Sequence, residues 1–213
     1  MKRVLCYGDS NTWGFIPATG ERYPETVRWT GLLQTMLGAD HQIVEEGLNG
    51  RTTVWEDPVR DFMNSAAYLG PCLLSQFPLD LIVFMLGTND LKQRFHLNAW
   101  SIAEGLRQNL RLIARSAEQG GVQKPAILVV APILIGDNIE LSPFADEFEG
   151  ARTIEISRQL GRKMARVAEE MGCYFLDAAP LAAPSRKDAI HMEPEGHRAI
   201  ADALAQQIRA ILG

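Results

Sequence analysis

Only three cysteines occur in 213 residues, Cys6, Cys72 and Cys173, and they lie far apart. That spacing excludes a disulfide framework or a zinc ribbon and leads to an expectation of reduced, buried thiols. A basic stripe is missing too. Lys and Arg number 21 against 26 Asp and Glu, a formal net charge of −5, which argues against a nucleic-acid partner. No apolar run approaches the ~20 residues of a membrane span. Lys2-Arg3 is followed by only a few apolar residues before Gly8-Asp9, too few for a secretory leader. A cytoplasmic protein without membrane contact is therefore expected. No His/Cys/carboxylate cluster has metal-ligand spacing, and no G-x-G-x-x-G follows the first apolar run, so neither a metal nor a dinucleotide cofactor is expected. Linkers, repeats and low-complexity segments are absent, and residues 1–213 read as one domain with enough apolar residues (46%) for a full core.

What is present begins with Val4 to Tyr7, a short apolar run that reads as a buried strand. Gly8 ends it, and Asp9-Ser10-Asn11-Thr12 supplies small polar residues suited to a turn or helix N-cap. Further strands are expected at 42–46, 79–86, 126–131 and 173–176. Apolar residues at three- and four-residue spacing predict helices over 28–37, 99–119 and 156–171, and over a last stretch opened by Pro194. Residues 64–77 also read as helical, with Gly70-Pro71 expected to break the helix or start a second segment. From Pro132 to Gly150 no period emerges. Strands alternating with helices predict an α/β sandwich around a five-stranded parallel sheet.

Three expected strand ends carry polar turns: Asp9-Ser10-Asn11, Asn49-Gly50 and Gly87-Thr88-Asn89-Asp90. In a parallel sheet they converge on one edge, where open α/β sheets place their ligands. Each turn alone is compatible with ordinary capping; their combination with Asp188-Ala189-Ile190-His191 points to chemistry. Serine becomes a nucleophile when a neutral histidine takes its proton, and the histidine needs a carboxylate to fix its tautomer. Ser10, His191 and Asp188 supply these groups. The backbone N–H groups of Ser10 and Gly50 and the side-chain amide of Asn89 are candidate donors to a developing oxyanion. Trp13, Trp55, Leu134, Phe144 and Met192 are candidate pocket residues for a small ester substrate, and Phe144 and Phe148 could instead form a lid or a subunit contact. Asp9 and Asp90 are expected to hold their own turns, and His197 to lie at the surface or behind the site. The G-x-S-x-G elbow is absent, because Thr12 stands where a glycine is required.

Taken together, Gly8-Asp9-Ser10-Asn11-Thr12, Gly50, Gly87-Thr88-Asn89-Asp90 and Asp188-Ala189-Ile190-His191 make the chain resemble the SGNH (GDSL-like) hydrolases along nearly its whole length, with Asn11 replacing the more usual leucine. The resemblance implies a three-layer α/β/α sandwich of flavodoxin-like type, Ser10 as nucleophile, His191 as base, Asp188 as its orienter, and Gly50 and Asn89 in the oxyanion hole. Asp9-Ser10-x-Thr12-Trp13-Gly14, Val27-Arg28-Trp29-Thr30-Gly31, Glu45-Glu46-Gly47-Leu48 and Arg51-Thr52-Thr53 are similar to the compact bacterial arylesterase/acyltransferase subgroup. That subgroup hydrolyses small aryl and acetyl esters, sometimes transfers the acyl group to alcohols or peroxide, and assembles as octamers, so a homo-oligomer is implied. Gly50 stands where one transferase member has alanine. Carbohydrate deacetylation, thioester or lysophospholipid hydrolysis, and a catalytically silent binding module are the alternatives.

Overall fold

Five strands pair into one all-parallel sheet: β1 (Lys2–Gly8), β2 (His41–Gly47), β3 (Leu81–Met85), β4 (Ala126–Ala131) and β5 (Tyr174–Asp177), in the order β2-β1-β3-β4-β5. The computed structural model describes residues 1–213. Six helices flank the sheet: α1 (Ser10–Trp13), α2 (Trp29–Leu37), α3 (Ser65–Gln76), α4 (Ala99–Gln119), α5 (Gly150–Glu170) and α6 (Pro194–Leu212). Alternation along the strands sets the layers. Val4, Cys6, Leu81, Val83, Met85, Leu128 and Val130 enter one core with Trp29 and Leu33 of α2 and Ile200, Leu204 and Ile208 of α6. Leu5, Tyr7, Ile82, Phe84, Ile127 and Val129 enter the other with residues of α3, α4 and α5. Because β1, β3 and β4 are covered on both faces, they read in sequence as continuous apolar runs.

The strand order reverses between β1 and β3, which makes their carboxyl ends the switch point where such sheets bind ligands. Ser10 follows β1 and Asn89 follows β3. The third strand is shorter than its apolar run suggests. Asp80 lies outside the ladder and instead accepts a hydrogen bond from the Arg3 N–H at 2.8 Å.

The expected break at Gly70-Pro71 does not occur, and α3 runs through Pro71. Proline lacks an N–H and frees the carbonyl four residues earlier, on Ala67. Both Pro71 and Ala67 are exposed, so that carbonyl faces water while Leu69, Cys72 and Leu73 hold the buried side. The N-cap of α4 is Asn98, whose side chain accepts from the Ser101 N–H, rather than a box made by Ser101 and Glu104. The connection 132–149 contains short 3-10 turns at Ile139–Leu141 and Ala145–Glu147. It is anchored by buried Ile133, Ile135, Ile139 and Phe148 at irregular spacing, which explains why no period is visible.

Candidate active site

Chain reversal at the end of β1 presents Ser10 at the first position of α1. The Asp9 carboxylate caps this helix by accepting from the Asn11 N–H at 3.0 Å, and Gly14 closes it in the left-handed conformation. A Cβ on Gly8 would sit 2.1 Å from Thr12 Oγ1, so only glycine lets the strand turn this sharply into the helix. The Trp29 indole donates to the Asn11 carbonyl at 2.9 Å, tying the turn to α2. Behind it, His197 is fully buried rather than at the surface. Its Nδ1 accepts from the Trp29 N–H at 3.3 Å, so an α6 residue caps α2, and burial pushes its imidazole down to about 4, keeping it neutral.

The loop before α6 brings Asp188 and His191 to this turn. His191 Nε2 lies 2.8 Å from Ser10 Oγ, and His191 Nδ1 lies 2.8 Å from Asp188 Oδ2. Asp188 Oδ1 accepts from the Ile190 and His191 N–H groups at 3.1 and 3.0 Å, and Oδ2 accepts from the Ala18 N–H at 3.2 Å. Burial raises this carboxyl, but the His191 hydrogen bond and charge together with the backbone N–H groups outweigh it and hold Asp188 below the usual carboxylate range. Phe15 stacks on the His191 ring with centroids 4.2 Å apart, and Phe144 meets it edge-on at 5.7 Å. Asn11 completes the junction. Its amide donates to the Ile190 carbonyl at 3.2 Å and accepts from the Met192 N–H at 3.1 Å, gripping the chain on both sides of His191. A leucine there could make neither bond.

The oxyanion-hole candidates gather at the same point. Asn89 donates one amide hydrogen to the Arg51 carbonyl at 3.1 Å, which orients the group and leaves its second hydrogen available. Neither the Ser10 nor the Gly50 backbone N–H has an acceptor within the chain. Gly50 adopts φ +90°, and a Cβ there would lie 2.8 Å from Met63 Sδ, so the glycine is required by its own backbone and by Met63. Arg51 braces the turn, donating to the Gly8 carbonyl at 2.9 Å and lying 4.1 Å over the Tyr7 ring. Asp90 does not hold its own turn as expected. It accepts from the Thr53 N–H at 3.1 Å and from the Thr53 hydroxyl, and so locks the Gly50 turn to the Asn89 turn.

A cavity of about 50 Å³ opens at Ser10, lined among others by Gly50, Asn89, His191, Phe15 and Phe144. The sequence expectation for its walls is corrected at four positions. Met192 is fully buried in the core between sheet, α2 and α6, and reaches the site only through its backbone. Trp13 is half-buried beside Arg22, while half-buried Trp55 and Leu134 also lie outside the lining. Phe148 is buried in the core and Phe144 is half-buried against it, and both line the cavity. Arg60, Lys92 and Glu147 are lining residues that sequence reasoning missed, while Asn49 lines the cavity from the turn it shares with Gly50. Glu147 lies in the aperiodic connection and Arg60 in a loop, where nothing in the local pattern marks them. No group of three or more His, Cys, Asp or Glu residues is placed to hold a metal ion.

Asp9 is fully buried, and Oδ2 has no partner. Burial pushes its carboxyl up to about 6 against the lowering influence of the Asn11 N–H, His191, the nearby Thr88 hydroxyl and Arg51. A native value above the reference of 3.8 means that the folded state holds this proton more tightly. The contribution to stability is full below about pH 4 and is lost as pH rises through 6. Asp9→Asn, which keeps the capping acceptor, is therefore expected to gain up to about 3 kcal/mol relative to wild type between pH 4 and 7.5. Urea unfolding at the two pH values checks this, and a pH-independent difference would show that Asp9 is ionised throughout.

Residues 6–199 match the GDSL-like Lipase/Acylhydrolase family, and the chain belongs to it. It is a carboxylic ester hydrolase of the SGNH type. Among solved structures it is similar to the aryl esterase of M. smegmatis, at 38% identity over 100% of both chains with a TM-score of 0.92. It is also similar to Est24, a carbohydrate acetylesterase from Sinorhizobium meliloti, at 34% identity, again over 100% of both chains, with a TM-score of 0.93. The uncharacterized lipoprotein YqeF of Bacillus subtilis is 28% identical over 138 residues, 63% of this chain and half the length of that protein. No helix is long and apolar enough to cross a membrane.

Proposed function

We propose that this ester hydrolase is a serine esterase for acetyl-sized acyl groups, working through an acyl-enzyme on Ser10. The observation that carries this reading is the hydrogen-bonded line Asp188–His191–Ser10, with both side-chain links at 2.8 Å, opening into a cavity edged by unpaired N–H groups. His191 Nε2 takes the Ser10 proton as Oγ bonds to the ester carbonyl carbon. Asp188 stabilises the resulting imidazolium. Negative charge moves to the carbonyl oxygen, where the N–H groups of Ser10 and Gly50 and the free amide hydrogen of Asn89 receive it. Collapse breaks the bond to the alcohol, which leaves with the proton from His191. Water, deprotonated by the same imidazole, then releases the acid, and an alcohol entering instead of water gives acyl transfer.

Cavity size supports the acyl preference. At about 50 Å³ it has room for only a few waters, each needing about 10–15 Å³ on the same measure. An acetyl group fits, whereas a longer chain must displace Phe144 or Phe148. On p-nitrophenyl esters, kcat/KM is expected to fall at least tenfold from acetyl to butyryl, with octanoyl slower still. A flat or rising series would overturn the preference. The likeness to the carbohydrate acetylesterase Est24, over the whole of both chains, supports a second reading as a carbohydrate acetylesterase. An acetylated sugar in the same panel, with and without an added alcohol, separates hydrolysis, deacetylation and transfer.

Two further proposals concern assembly and location. Val59 and Phe62 expose 71% and 85% of their surface next to Arg60, and this patch supports a homo-oligomer, up to the octamer that the family resemblance implies. Light scattering at micromolar concentration should give a mass well above the 23.6 kDa of one chain, and a monomer would refute it. All three cysteines are free, which supports a reducing compartment such as the cytoplasm.

A further inference from the structure

Beside the Ser10 cavity lies a group of charges that the acyl-transfer steps do not use. Lys92, with only 4% of its side chain exposed, places Nζ 2.8 Å from Glu147. Arg94 lies 2.9 Å from the same carboxylate and 2.7 Å from Asp57. The Lys92 and Arg94 contacts both fall on Glu147 Oε2, which leaves only Oε1 to Arg60. Its pair with Glu147 is loose, at 3.6 Å, its side chain is 47% exposed, and it makes no hydrogen bond within the chain. Neither Asp61 nor Asp146 forms an ion pair with it. Arg60 nevertheless lines the cavity, and one terminal nitrogen lies 3.4 Å from where a Cβ on Gly50 would sit. In a chain of net charge −5, three cations share two carboxylates at this wall, and the unmatched charge stands beside the oxyanion-hole turn.

We propose that Arg60 selects esters whose alcohol portion carries a carboxylate, an acetylated hydroxy acid or phenolic acid. The inference rests on the Ser10 esterase reading and narrows its substrate class. The small cavity takes the acyl group, so the alcohol portion is left at the rim where Arg60 stands half-exposed. A carboxylate there can accept from two guanidinium N–H groups, the planar pairing for which arginine is suited. Glu147 does not repel it, because Lys92 and Arg94 already neutralise that carboxylate. Partial exposure limits the gain to that of one charge-assisted contact, about tenfold in affinity.

The test compares 4-acetoxybenzoate with neutral 4-acetoxybenzamide, which share the acetyl group and ring. The readout is the ratio of their kcat/KM values, in wild type, Arg60→Gln and Arg60→Lys. The ratio is expected to drop about tenfold in Arg60→Gln, to be only partly retained in Arg60→Lys, which keeps the charge but not the planar pairing, and to fall in wild type as NaCl rises from 50 to 500 mM. Wild type alone makes the salt titration decisive if a variant folds poorly. A ratio unmoved by both substitution and salt overturns the anion preference while leaving the esterase reading intact. Failure of wild type to hydrolyse either ester or p-nitrophenyl acetate overturns both.

Discussion

Replacing Ser10 with alanine is expected to lower kcat on p-nitrophenyl acetate by a factor on the order of 10⁴–10⁶ while leaving thermal unfolding within about 1 kcal/mol of wild type. The chemistry needs an oxygen nucleophile, and nothing else in the cavity supplies one: the remaining lining groups are amides, aromatics, an aliphatic side chain and charged side chains already paired or cationic. Ser10 Oγ makes its one side-chain hydrogen bond to His191, so removing it costs the fold little. His191→Ala should lose activity to a similar extent, and the double variant should lose little more, because in the proposed mechanism nucleophile and base act as one unit. Stopped-flow kinetics of the three variants and labelling by a fluorophosphonate check this. Additive losses would show that Ser10 and His191 do not act as one unit, and a label elsewhere than Ser10 would place the nucleophile at another residue. Asn89→Ala, by contrast, should retain labelling, since it removes a donor and not the nucleophile.

How much of this could be read from the sequence depends on whether the cause is local. Val4–Tyr7 and Ala126–Ala131 are legible as strands because both of their faces are covered, and the turns at Ser10, Gly50 and Asn89 are legible because polar residues interrupt apolar runs at strand ends. Asp188 and His191 are three residues apart, and their pairing needs only one turn. Pro71 misleads because local chemistry predicts a break, whereas the exposed side on which it sits tolerates a missing hydrogen bond. Met192 misleads differently, and for His197 the sequence leaves surface and interior both open. Their places depend on how the start of α6 and the residues just before it pack against α2, 168 residues away in the case of His197 and Trp29. Asn11 shows the limit most clearly. The sequence registers only a departure from the usual leucine, and its grip on Ile190 and Met192 spans 179 and 181 residues. Arg60, Lys92 and Glu147 likewise meet only when the connection 132–149 folds over the sheet edge.

That folding-over carries the second large effect. Glu147→Ala is expected to destabilise the protein by about 3 kcal/mol, because it strands Lys92 as a buried ammonium without its partner. The partial exposure of Glu147 keeps the cost toward the lower end of the range for broken buried pairs. Burial already lowers the Lys92 amine, so in the variant it will tend to shed its proton, softening the loss at high pH. The charge is the cause, and a second substitution can show it. Lys92→Met made on top of Glu147→Ala should recover much of the loss, since an apolar side chain of similar length needs no counter-ion. The carboxylate also fastens the connection that holds Phe144 against His191 and Phe148 on the cavity, assisted by the Gln93 side chain donating to the Asp146 carbonyl at 2.7 Å. Releasing that strap should therefore relax the acyl-length preference, letting butyryl esters gain on acetyl esters in the single variant. Chemical unfolding of the single and double variants, paired with the acetyl-to-butyryl ratio, separates the two consequences. Recovery of stability without recovery of the ratio would assign Glu147 two independent roles, one as counter-ion to Lys92 and one in holding the aromatic wall; recovery of both would mean that the buried charge alone governs the connection.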